Sequence, residues 1–439
     1  MTSTPEPTET PETPVTESCC EEFERVARLS RRRMLAGMAA ATGAAVTASV
    51  FGDAFRQVSF AAPSRRAGST NVLVVISLRG GVDGLGVVVP HGDPAYYAAR
   101  PTIGIPAATL VGADAMFGLH PALRPLEWLL ATGELAAVHA VGMEVPNRSH
   151  FRAMEEIEDA DPTSSVRRGW VNRMVGLGGG TQPYDAVGLG DPVTPTALVG
   201  DALSLTAESL ADVSLAGADG DFLKRRRRQL RTTWKHTSGA LGDATRAALR
   251  TADDLRPVVR TPYRADVAYP KRYPAAGLAA ALRDTARLIK ADVGTEVVSV
   301  DYGTWDMHAD YGVLDSGRMQ SMLSGFAGAV DAFLRDLGPA RSRVTVVTIS
   351  EFGRRVAQNG NNGLDHGWGN MMLLMGGGVR GGYHGTWPGL GSDRLVDGDL
   401  QVTTDYRNVL GEVVARRFPD RSPTSVFPGL VYRPIGVML

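Results

Sequence analysis

Cysteine is nearly missing from this 439-residue chain: Cys19 and Cys20 are its only two. Both precede the basic and apolar segment that reads as an export signal, so residues 62–439 contain none. Disulfides, thiolate metal sites and a cysteine nucleophile are thereby excluded from the mature part. Its stability must come from a large core, for which roughly 370 residues suffice. A charge surplus is missing too. Residues 62–439 carry 40 Lys and Arg against 39 Asp and Glu, which leaves no electrostatic basis for a nucleic-acid partner. The one dense basic run, at 224–228, reads as a solvated helix face or insertion rather than a polyanion site. Long hydrophobic runs are absent as well. The Ala-rich stretch 36–50 contains Gly and Thr and is followed by Asp53 and Arg56, so it makes no stable membrane span. No short internal repeat is present.

The amino terminus is built for another purpose. Residues 1–24 hold seven glutamates among Thr and Pro without apolar periodicity, a composition that stays disordered. Arg31, Arg32 and Arg33 directly precede the modest apolar stretch, and small residues surround Ser59 to Ala62. Basic region, apolar segment and small residues together make an export signal, and the paired arginines point to the twin-arginine machinery as a partner. The reading is a leader over 1–61, cleaved on export, and a mature protein that is periplasmic, cell-wall-associated or extracellular. An anchor helix or a plain disordered leader is the alternative.

Within 62–439, short β-branched runs alternate with amphipathic stretches. Residues 72–78, 135–141, 296–300, 344–349 and 371–375 read as strands, several buried on both faces. Residues 121–132, 275–291 and 321–337 read as helices with one leucine-rich face, and Gly133 and Gly338 can close two of them. This alternation predicts an α/β fold with a doubly wound, mostly parallel central sheet flanked by helices. Residues 180–270 are less regular, with short strands or loop over 203–215 and a charged helical stretch over 222–255, and read as a cap inserted into a single domain, or as a hydrophilic crossover.

Acids and histidines then fall just past the apolar runs. Asp83 lies in the loop Arg79-Gly80-Gly81-Val82-Asp83; Asp306 and His308 follow the third strand; Glu351 follows the fourth; His366 precedes the fifth. Strand ends of an α/β sheet converge on one rim, where ligands bind. Carboxylates and imidazoles gathered there make a divalent metal site. Asp306 and His308 at i and i+2 share a face of an extended segment, so both can reach one ion. Ser149, in Asn147-Arg148-Ser149-His150, reads either as a metal-activated nucleophile or as a helix cap. Arg148 or Arg79 could clamp an anionic substrate. His384 reads as a rim residue, and His91, His120, His139 and His236 read as structural or exposed.

The same residues carry a resemblance. The leader, LRGGVDGL from Leu78, NRSHF from Asn147, WDMH from Trp305, SEFGR from Ser350, DHGWGN from Asp365 and GGGVRGGYHGTWPGL from Gly376 together resemble the bacterial domain-of-unknown-function 1501 family. That family is similar to the alkaline phosphatase and sulfatase superfamily. The resemblance implies an alkaline phosphatase-like fold and metal-dependent hydrolysis of phosphate or sulfate esters, anionic substrates, with one or two divalent ions (Zn, Mn, Ca or Mg). It implies one ion at Asp83 and Glu351, another at Asp306, His308 and His366, and Ser149 as nucleophile. Two departures stand out: Glu351-Phe352 replaces the usual Asp-His pair, and Asp306 and His308 are closer than usual. His150 could supply the missing imidazole. A catalytically degenerate binding or assembly protein on the same scaffold is the alternative function.

Overall fold

Val72–Ser77 is six residues, VLVVIS, buried at every position, so it can only be a strand sheltered on both faces. The computed structural model describes residues 71–180, 182–214 and 220–439, and this strand, β1, lies in the middle of the sheet. The leader falls outside the described residues.

In chain order the other strands are β2 (Val88–Val89), β3 (Gly118–Leu119), β4 (Leu135–Gly142), β5 (Ala186–Leu189) and β6 (Leu205–Ala207). They are followed by β7 (Val297–Asp301), β8 (Val344–Ile349), β9 (Asn370–Gly376), β10 (Gly382–His384) and β11 (Thr404–Asp405). The helices used below are α1 (His150–Asp159), α2 (Trp170–Leu177), α3 (Gly220–Trp234), α4 (Ala240–Asp254), α5 (Arg256–Arg260), α6 (Ala276–Ala291), α7 (Arg318–Asp336) and α8 (Tyr406–Arg417).

The main sheet has the order β10-β4-β9-β8-β1-β7-β5-β6, with β11 also beside β4. Its pairings are parallel except those of β9, which runs against both β4 and β8. This is a mixed, mostly parallel sheet with helices on both faces, the doubly wound architecture expected. Side chains alternate as the pleat requires. Val72, Val74 and Ile76 of β1 join the core that includes Leu278 and Leu282 of α6 and Phe326 and Phe333 of α7. Leu73 and Val75 join the other core, with Met154 of α1, Trp170 of α2 and Val409 of α8.

One element differs from the sequence reading, and the inserted region gains detail. Residues 121–132 split into a 3₁₀ turn, Pro121–Leu126, and a short α-helix, Glu127–Ala131. Pro125 lies inside the turn; it has no N–H to give and its ring crowds the carbonyl four residues back, so one continuous α-helix cannot form. Within 180–270, β5 and β6 extend the main sheet beyond β7, while 220–260 form the helices α3 to α5. β6 falls in the stretch 203–215 read as short strands or loop, whereas β5, of four residues, carries too little periodicity to be read from sequence.

The direction of β9 is what builds the rim. Parallel strands β1, β4, β7 and β8 present their carboxyl ends to one edge, and the reversed β9 presents its amino end to the same edge. His366, four residues before β9, therefore lands beside loops that follow β1, β7 and β8. Gly80, at φ +107°, lets two of those loops touch: a β-carbon there would lie 2.7 Å from the amide nitrogen of Asp306.

Candidate metal centre

Asp306 is the centre of the cluster. The loop after β7 is pinned by Trp305, which is buried and donates its indole N–H to the carbonyl of Tyr302. Oδ1 of Asp306 lies 3.1 Å from Nε2 of His308 and 3.4 Å from Nε2 of His366. Oδ2 lies 3.7 Å from Nε2 of His150, the first residue of α1. His150, Asp306 and His366 each offer a ligand atom, all within 4.8 Å of one another. His308 flanks this trio, with its Nε2 3.0 Å from that of His366.

The outer nitrogens of the three rings explain the arrangement. Nδ1 of His366 is 2.9 Å from the carbonyl of Arg148, Nδ1 of His308 is 2.8 Å from Asp365, and Nδ1 of His150 is 2.8 Å from Glu351. Carbonyl and carboxylate oxygens only accept, so each Nδ1 carries the proton. In the neutral rings, each Nε2 then presents a lone pair toward Asp306. Imidazoles held from behind in this way are the usual support of metal-ligating histidines. With metal–nitrogen bonds of 2.0–2.1 Å, tetrahedral ligand atoms stand about 3.3 Å apart, against 3.4 Å for His366 and 3.7 Å for His150 from the Asp306 carboxylate. The residues fit one divalent ion, and this is the one such cluster among the described residues.

Charge around it is balanced locally. Burial pushes the His150 pKa down, but hydrogen bonds with Asp306 and Glu351 outweigh it and raise the ring to about 9. His308 is raised by its hydrogen bond to Asp306. His366 is lowered, by burial first and by the nearby Arg354 cation. Burial works against ionisation of Asp306, yet the three imidazoles and Arg354 hold its carboxyl far below the usual range. Burial likewise opposes ionisation of Glu351, but His150 and the Gly80 amide hold it low.

Each residue singled out from sequence has a definite place. Asp306, His308 and His366 meet, and His150 joins them. Glu351 touches the cluster through His150, and its oxygens also accept from the Gly80 amide at 2.7 Å and Ser350 Oγ at 3.0 Å. Asp83 is not in the cluster: its carboxylate is gripped by Arg100 at 2.6 and 2.9 Å and accepts from Tyr311 at 2.6 Å. Arg79 reaches Asp301 at 2.5 Å and Glu158 at 2.7 Å. Arg148 pairs with the buried Asp399, while its carbonyl holds His366. Ser149 is exposed and immediately precedes α1, yet its side chain makes no capping bond.

Four residues escaped the sequence reading. Arg354, 1 % exposed, donates to the carbonyls of Gly80, Gly81 and Leu364 and to Asp306 at 2.6 Å. It ties three loops to the central carboxylate. Arg100, Asp365 and Asp399 act similarly as partners of residues that were singled out. Only Arg354 had a visible signal, an arginine three residues past Glu351 at a strand end.

Comparison with known proteins adds breadth rather than chemistry. The model of a protein family of unknown function, DUF1501, matches residues 257–416, a segment that contains Asp306, His308, Glu351, Arg354 and His366. That match spans a little over a third of the chain. No curated protein matches. Among solved structures, the C-terminal periplasmic domain of EcEptC from Escherichia coli, in complex with Zn, is 10% identical, covering 72% of this chain and 75% of that one, TM-score 0.32. The alkaline phosphatase from the Antarctic bacterium TAB5 is 11% identical over 72% of this chain and 95% of its own, TM-score 0.30. The PsFucS1 sulfatase from Pseudoalteromonas sp. is 11% identical over 84% and 73%, TM-score 0.31. Likenesses this shallow carry no argument here; the fold rests on the sheet order, and the chemistry on the cluster.

Proposed function

We propose that the chain is an exported, metal-dependent hydrolase of phosphate or sulfate esters, working with one ion. The observation that supports it is the set of three imidazoles, each fixed through Nδ1 so that Nε2 faces Asp306. His150, Asp306 and His366, with His308 beside them, would hold a divalent ion, which when bound would supply Lewis-acid polarisation of the ester and a lowered pKa for an attacking hydroxyl. Its donor set is rich in imidazole, which favours Zn over Mn, Ca or Mg.

The other roles belong to the chain. Ser149, exposed and unused as a cap, presents the attacking hydroxyl next to His150. Arg148, oriented by Asp399, offsets charge on the ester oxygens. Arg354 fixes the Asp306 carboxylate, and Glu351 fixes the His150 ring. With Asp83 engaged by Arg100, a second ion has no place in this reading. The paired arginines directly ahead of the apolar stretch support export by the twin-arginine route.

Elemental analysis of the mature protein tests the site directly. About one equivalent of a divalent metal is expected, lost in His366→Ala and His150→Ala variants that still fold. A screen of phosphate, phosphonate and sulfate esters tests the reaction; turnover must disappear with the metal. Metal-free protein after metal-replete refolding overturns the site. Metal retained without turnover on any ester favours a binding scaffold, a reading that the guanidinium groups on Asp83 and Asp306 motivate.

A further inference from the structure

Far along the chain from the metal ligands, the charge is strongly segregated. Residues 220–260, helices α3 to α5, carry eleven Lys and Arg against four Asp, a surplus of seven, whereas the whole chain carries -1. On α3, Lys224, Arg228 and Arg231 recur at steps of four and three, which places them in one stripe, and Lys235 follows in the turn just past the helix end. Such neighbours stand about 5–6 Å apart along the helix. Arg227 and Arg231 both turn to a single acid, Asp253. Arg225, Arg228, Lys235 and Arg250 are exposed and have no acidic partner among the described residues.

The cations also line recesses. A cavity of about 340 Å³ lies between α3 and α4, lined by Arg231, Thr232, Lys235, Arg246, Leu249 and Arg250. A smaller one of about 60 Å³, lined partly by Arg227, Arg256 and Arg260, opens between α3 and α5. So dense a surplus repels itself and is satisfied by an anion of matching extent. Anionic groups on a flexible chain can enter recesses of this kind, whereas a flat bilayer touches only the outermost cations.

We propose, in place of the solvated face read from the run 224–228 alone, that the α3–α5 face docks a linear polyanion bearing repeated phosphate or sulfate groups. Binding follows counterion release, so affinity falls steeply with salt, by roughly 0.7–0.9 of a log unit per log unit of salt for each contact. The docking surface is separate from the metal cluster and does not depend on ester hydrolysis.

Binding of inorganic polyphosphate and of dextran sulfate to the mature protein is the test. The variant Arg225→Gln/Arg228→Gln/Lys235→Gln/Arg250→Gln should lose at least about tenfold in affinity at low ionic strength, with the salt slope shallower by about 3. The double variant Lys235→Gln/Arg250→Gln should lose about half that slope and serves if the quadruple variant does not fold. His366→Ala should bind the polymer as wild type does, which separates this surface from the hydrolase reading. Polymer binding that is absent, or undiminished in both variants, overturns the proposal. So does binding to phosphatidylglycerol vesicles without polymer binding, the outcome that the exposed Phe222 at the start of α3 would then explain.

Discussion

His308 and His366 face each other through Nε2 atoms 3.0 Å apart, although each ring keeps a proton on its far nitrogen. Two lone pairs at that distance repel unless a cation or a shared proton lies between them. The pair is therefore held in place by what lies behind it, namely Asp365 and the carbonyl of Arg148.

Removing one of those supports should loosen the metal without touching a ligand. Asp365→Ala leaves His308 free to rotate. Losses of such outer partners typically cost about 10–100-fold in metal affinity. Competition titration with a chromogenic zinc chelator measures this, and an unchanged affinity would mean that His308 stands outside the coordination.

Arg354 should matter more for folding than for chemistry. Truncation to Ala leaves the carbonyls of Gly80, Gly81 and Leu364 and the Asp306 carboxylate without their donor, in a place water hardly reaches. A loss of about 3–5 kcal/mol is expected in urea unfolding. Arg354→Lys should recover only part of it, because one ammonium cannot serve four separate acceptors.

Asp83 and Arg100 make a double-mutant cycle worth measuring. The guanidinium is fully enclosed and the carboxylate 3 % exposed, so either single change, Asp83→Asn or Arg100→Met, strands a partner and should cost about 3–5 kcal/mol. Their combination should cost less than the two together. Additive losses in the denaturation midpoints would show that the pair is not coupled.

Acid should weaken the protein through histidines remote from the cluster. Burial lowers His120 and His139 to about 4 each, against an ordinary value near 6.5. Nδ1 of His120 accepts the Ala122 amide at 3.0 Å, and His139 stacks on Phe117 with centroids 4.3 Å apart. Both must be neutral when folded, so the unfolded chain binds more protons between these values. Their contribution is complete above pH 6.5 and is lost as pH falls toward 4, by up to about 3 kcal/mol each. Thermal unfolding at pH 7 and pH 4.5 checks it: His139→Phe should shrink the drop, and a drop of the same size in that variant would assign the acid sensitivity elsewhere.

The sequence disclosed the architecture where strands were long and uniformly buried, as in β1 and β8, and missed β5, too short to show a period. Asp306, His308 and His366 were legible because a carboxylate and imidazoles past strand ends have few purely structural uses. What the chain order hides is the pairing of opposite charges. Nothing in the loop 79–83 announces that Arg100 will take Asp83, seventeen residues on, and nothing near Ser350 announces that Glu351 will hold a ring from α1. Such partners are chosen by packing in three dimensions, and a carboxylate reads the same in sequence whether an ion or an arginine answers it.

The backward run of β9 has one more effect. The chain leaves β8 and comes back as β9 in a single out-and-back excursion, so Glu351, Arg354, Asp365 and His366 travel as one cassette. Its far tip, around Asn361 and Asn362, is exposed and can take up extra residues. Gly363, by contrast, is wedged so close to the His308 backbone that a β-carbon would meet it at 2.2 Å. Loop length could thus drift at the tip over evolutionary time while the spacing of the ligands stayed locked at the base.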